Sequence, residues 1–207
     1  MRRKTFDKLM TTAGVVATVG LVVAGALLWW GSSFANSNVS DRLKPEKIFF
    51  SPADKLTADE RAIPGVLGYA GQQVDNGAKA KVYADIINVH LQAVNGGRTY
   101  SETSTESRAN PNDQALAAKV QTLFRGETLR SILLNAYAWW FIGRIALYAS
   151  VVAFVGGAVM ALLVLLGILH LRRVSGIEEL GAPRAAAGAS TVRNGFVASN
   201  VKVPAHS

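Results

Sequence analysis

Cysteine is absent from this 207-residue chain, and histidine occurs only three times. Without cysteine there is no disulfide framework, no thiolate metal site and no cysteine nucleophile. The histidines, His90, His170 and His206, are scattered, and zinc needs three or four donors at one point. Aromatic residues make up 8% of the chain and charged residues 17%. No basic stripe with interleaved aromatics is present, so nucleic acid is excluded as the expected partner. Phosphate loops are missing too, because Gly96-Gly97 is followed by neither Lys-Ser/Thr nor a GxGxxG context.

The chain does have apolar length. Half of its residues are hydrophobic, and its mean hydropathy is +0.22. Met10 to Trp30 carries no charge, and neither does Ile145 to Leu171. A bilayer core of ~30 Å is crossed by ~20 helical residues rising ~1.5 Å each, so both runs are long enough to span. The first run exceeds the 7–15 residues typical of a signal-peptide core, and an uncleaved anchor is the expectation. The formal charge of +8 divides into +3 over residues 1–9, +2 over 32–144 and +3 over 172–207. Basic flanks at both ends follow the positive-inside bias and place both termini in the cytoplasm.

Four tryptophans sit at the ends of these runs, as Trp29-Trp30 and Trp139-Trp140. Tryptophan favours the bilayer interface, so both pairs are expected as anchors on the face opposite the termini. Arg144, just inside the second pair, reads as a snorkelling anchor. Small residues recur every four positions at Ala149, Ala153, Gly157 and Ala161, and in the first run the pairs Ala13 and Ala17, then Gly20 and Ala24, are likewise four apart. Such stripes let helices approach closely in lipid, either within the chain or between copies.

Between the spans, Lys47 to Ser51 reads as a strand or extended segment after Pro45. Pro52 to Gly68 reads as loop with a helical turn. Ala78 to Val94 reads as a helix with Val82, Ile86, Val89 and Ala93 on one face, stopped by Gly96-Gly97. Thr99 to Ala109 is expected as a polar linker, and Asn110-Pro111 as the cap and first turn of the next helix. Leu116, Val120, Leu123 and Phe124 give that helix an apolar stripe. Phe124, Arg125, Glu127 and Arg130 form a collar above the membrane suited to a partner, with Glu127 and Arg130 spaced to pair. His90 and Asp85, five apart, do not meet on a helix as residues three or four apart do. From Ser175 on, the Ala-, Gly- and Ser-rich composition predicts a disordered tail.

Tyr69-Ala70-Gly71-Gln72-Gln73, Tyr83 through Leu91, Gly96 through Ser101 and Leu123 through Tyr137 resemble an uncharacterised family of two-span actinobacterial membrane proteins. The resemblance covers roughly residues 10–170, and it implies a two-span topology in a cell envelope. Members sometimes carry an automatic label of aromatic-ring-opening dioxygenase. A non-haem iron site needs a His-rich ligand set that this sequence lacks, and the family supplies no catalytic residues to carry over.

The resulting expectation is a mostly α fold. Residues 1–9 form a cytoplasmic basic N-terminus and 10–31 the first transmembrane helix. Residues 32–138 form an extracytoplasmic helical domain, 139–172 the second span, its helix beginning near 128, and 173–207 a disordered cytoplasmic tail. The expected setting is the plasma membrane, with no catalytic residue, cofactor or metal. The expected role is a non-enzymatic accessory or scaffolding subunit that meets the lipid bilayer and a membrane-protein partner or a second copy. A second reading, a small transport or solute- and lipid-sensing module, requires polar groups converging around His90, Asp85 and Tyr83.

Overall fold

In the computed structural model, backbone is described for residues 3–180 and side chains for residues 8–170 and Arg172. Six α-helices follow in chain order: α1 (Arg3–Leu43), α2 (Ala58–Arg61), α3 (Val66–Tyr69), α4 (Gly77–Asn95), α5 (Tyr100–Ala109) and α6 (Gln114–Leu180). The fold is mostly helical, and two helices are long and apolar enough to cross a membrane: α1 within Lys8–Glu46 and α6 within Gln114–His170.

The two long helices lie antiparallel against each other. From Thr11 to Val39, the buried or half-buried positions on α1 include Thr11, Gly14, Thr18, Leu21, Gly25, Leu28, Ser32, Ala35 and Val39. Alternating steps of three and four give a period of 3.5, the seam of a left-handed helix pair. α6 answers with Gly143, Ser150, Ala153, Gly157 and Val164. Small residues on one helix receive large ones from the other. A side-chain carbon added to Gly14 would stand 2.6 Å from Val164, and one on Gly25 would stand 3.0 Å from the Phe154 ring. Likewise Gly157 faces Leu21 and Val22, and Gly143 faces Ala35 and Ser32. Close backbone approach of this kind is how helices associate without a hydrophobic driving force.

The α1 contact therefore runs one position away from the stripe expected from the sequence. Ala13, Ala17, Gly20 and Ala24 are exposed, and Gly20 has nothing near its Cα to meet. On α6, Ala153 and Gly157 face α1, whereas Ala149 and Ala161 point away from it. On α6 a four-residue repeat drifts around a pair that coils with a period of 3.5 and leaves the seam after one or two turns, whereas the α1 set, with steps of four, three and four, runs parallel to the seam on the adjacent face.

These facing pairs also set the register. Stepping down six residues from the Gly14–Val164 pair brings Lys8 level with His170, and stepping up nine from the Leu21–Gly157 pair brings Trp30 level with Tyr148. Stepping up from Ala35–Gly143 brings Trp139 level with Val39. The two tryptophan pairs thus stand about nine residues apart in height, ~14 Å at helical rise.

Several boundaries differ from the sequence expectation for local reasons. α6 begins at Gln114 rather than near residue 128, and its N-terminus is capped by Asp113, whose carboxylate accepts the Leu116 N–H at 2.9 Å. Asn110 instead ends α5, its N–H donating to Glu106 and Ser107 carbonyls. Residues 99–109 are not a linker, because Thr99 and Glu102 form a reciprocal capping box that starts α5. Helix continues through residues 173–180, which were expected in the tail, and residues 181–207 lie outside the described ones. The 47–51 segment forms an isolated antiparallel bridge, Phe49 to Gln73, rather than a strand.

Between α1 and α6 sits one core. Val39 and Leu43 from α1, Phe50, Leu56, Ile63, Val66 and Val74 from the connecting segment, Val82 and Ile86 from α4 and Leu133 from α6 pack together. The small domain is thus built directly on the upper ends of the two long helices.

Candidate functional site

α4 carries the titratable residues singled out by the sequence. Asn76 caps it by accepting the Lys79 N–H at 3.1 Å, and Gly96 ends it in the left-handed region at φ 60°. His90 does not stand alone on this helix. Its Nε2 lies 2.9 Å from Oε1 of Glu60, a residue thirty positions away on α2. Glu60 is buried, whereas the His90 side chain is 58% exposed. The other Glu60 oxygen accepts the Thr57 N–H at 2.7 Å, closing a capping box at the start of α2. That backbone donor, more than the hydroxyl of Thr57 or His90, holds the Glu60 carboxyl below its ordinary value against the opposing effect of burial.

Both carboxylate oxygens of Glu60 are therefore occupied, and the pair ties α2 to α4. Asp85 pairs with Lys81 at 2.7 Å and does not reach His90. The Tyr83 ring packs edge-on against Phe50 at 5.5 Å between centroids. His90, Asp85 and Tyr83 are each engaged by a different neighbour. Among the described residues, no three His, Cys, Asp or Glu side chains are grouped so as to hold a metal ion.

A second polar cluster secures the α4–α5 turn. Buried Asn95 donates to the Arg98 and Thr99 carbonyls at 2.6 and 3.2 Å, and accepts from the Thr103 hydroxyl at 2.9 Å. Arg98 reaches Glu106 at 2.6 Å. These bonds satisfy buried groups where the chain reverses, which is a folding role.

The collar on α6 divides into two faces. Glu127 and Arg130 pair at 3.2 Å and are half-buried toward the domain, near the Gly126–Leu91 contact. Phe124 is exposed and meets Tyr100 at 6.1 Å, and Arg125 is exposed beside it. Below Arg125, on the same side of α6, Leu129, Ile132, Trp139 and Ile142 form a stripe with exposures between 41% and 59%. Their spacing of 3, 7 and 3 keeps them on one helix face. At the heights of Trp139 and Ile142 the outer face of α1 is polar, carrying Asn36, Ser37, Asn38, Ser40 and Asp41, and Leu129 and Ile132 stand above its end at Leu43.

The four tryptophans play different parts. Trp29 and Trp30 are exposed, with Trp30 stacked on Phe34 at 5.8 Å. Trp139 is exposed in the stripe just described, whereas Trp140 packs beneath Gly77 at the start of α4. Arg144 donates to the Tyr148 hydroxyl at 3.0 Å, and its guanidinium lies 5.8 Å from the Trp140 ring centre and 5.3 Å from that of Tyr148. It stands level with Phe34, so Trp30, Phe34, Arg144 and Tyr148 form one aromatic and cationic girdle.

Sequence reasoning missed Glu60 as the partner of His90, although Thr57-Ala58-Asp59-Glu60 is a readable capping box. It also missed the outward stripe, which the sequence divides between the extracytoplasmic domain (Leu129, Ile132) and the start of the second span (Trp139, Ile142). No family model matches the chain, and no curated protein or solved structure matches it.

Proposed function

We propose that this chain is a non-enzymatic accessory or scaffolding subunit of the plasma membrane, held by the α1–α6 hairpin with both termini cytoplasmic. On this reading the lipid core lies between the Lys8–His170 level and the Trp30–Tyr148 level. That interval is twenty-two residues of α1, ~33 Å of helix, close to a ~30 Å hydrocarbon core. The Trp30–Phe34–Arg144–Tyr148 girdle then marks the outer interface, where amphipathic rings and a snorkelling arginine belong.

The observation that carries the proposal is the stripe of Leu129, Ile132, Trp139 and Ile142. Above the girdle it is exposed, its lower half beside a polar stretch of α1, and it extends for ~20 Å along α6. Exposed apolar side chains outside lipid, here with Asn135 exposed between Ile132 and Trp139, are costly to leave in water and mark a protein contact. The partner fitting such a strip is an apolar helix of another membrane protein, with Arg125 available at the rim for a polar contact.

Photo-crosslinking residues placed at Ile132 and Trp139 in intact membranes test this reading, with the exposed Gln92 of α4 as the comparison. A discrete adduct with another membrane protein from the first two sites, and none from Gln92, is expected. Adducts with lipid alone, together with a solitary chain after mild solubilisation, would refute the proposal.

A further inference from the structure

We draw no further inference here: the strongest candidate, the Ser150 hydroxyl sealed in the α1–α6 seam without a hydrogen-bond partner among the described residues, lies in the helix contact already described, and nothing in the structure shows what would bond to it.

Discussion

Gly77 lies directly on Trp140, so close that the first carbon of any side chain would fall in the space of the Trp140 Cβ. The Ala136 carbonyl stands 3.1 Å from that same point. The start of α4 is therefore pressed against the backbone of α6, and the domain is fixed to the long helix at this contact. A residue with the smallest side chain suffices to test it.

Gly77→Ala is expected to destabilise the domain by about 1–3 kcal/mol, because the clash is with backbone-near atoms that cannot swing aside. Gly68→Ala, in α3, meets nothing within 4 Å and has no positive φ. That substitution is expected to be neutral or slightly stabilising, since alanine favours helix over glycine. Denaturant unfolding followed by tryptophan fluorescence distinguishes the two, and equal effects would argue against the contact.

The hairpin register places Trp30 and Trp139 at different heights, ~14 Å apart along the helices. Single-tryptophan variants in vesicles of brominated lipids read depth directly. Trp30 is expected to be quenched strongly by bromines near the headgroup. Trp139, above the girdle, is expected to be quenched weakly. Equal quenching would place both tryptophans at one interface and remove the basis for a stripe outside lipid.

Glu60 gives the domain a pH dependence of known sign. Its carboxyl is held below the ordinary value of 4.5, chiefly by the Thr57 N–H. The folded state therefore favours the charged form, and the stabilisation is full above about 4.5. It is lost as pH falls through that value toward the lower folded one. The stability difference between the wild type and Glu60→Gln is expected to shrink across this window, measured by denaturant unfolding at neutral and acidic pH. A difference that stays constant below that window would show that Glu60 is not held as described.

Much of the architecture is legible in the residues, and the part that is not has a physical cause. Uncharged length gives the two long helices, and Gly96-Gly97 gives the end of α4, because these are local properties. The four-residue spacing of Ala149, Ala153, Gly157 and Ala161 marks the right helix and half of the right residues. What settles the seam is the match with α1, where Gly14 receives Val164 and Gly25 receives Phe154, and that match belongs to neither helix alone. For the same reason the sequence leaves His90 without a partner, Asp85 five residues earlier being out of reach, while Glu60, thirty residues away, holds the histidine. Thr99 to Ala109 is polar throughout, and only its reciprocal cap distinguishes a helix from a linker.

The hairpin register underlies the membrane boundaries, the girdle and the outward stripe, and the absence of cysteine makes it directly measurable. A side-chain carbon on Gly157 would lie 3.5 Å from the Cβ of Leu21, within the range of a disulfide. Leu21→Cys with Gly157→Cys in native membranes is expected to form an intrachain disulfide under mild oxidation. Gly20→Cys with Gly157→Cys is expected to form much less, because Gly20 faces away from α6. Efficient crosslinking of the second pair, or only interchain products from the first, would contradict the register and everything placed by it.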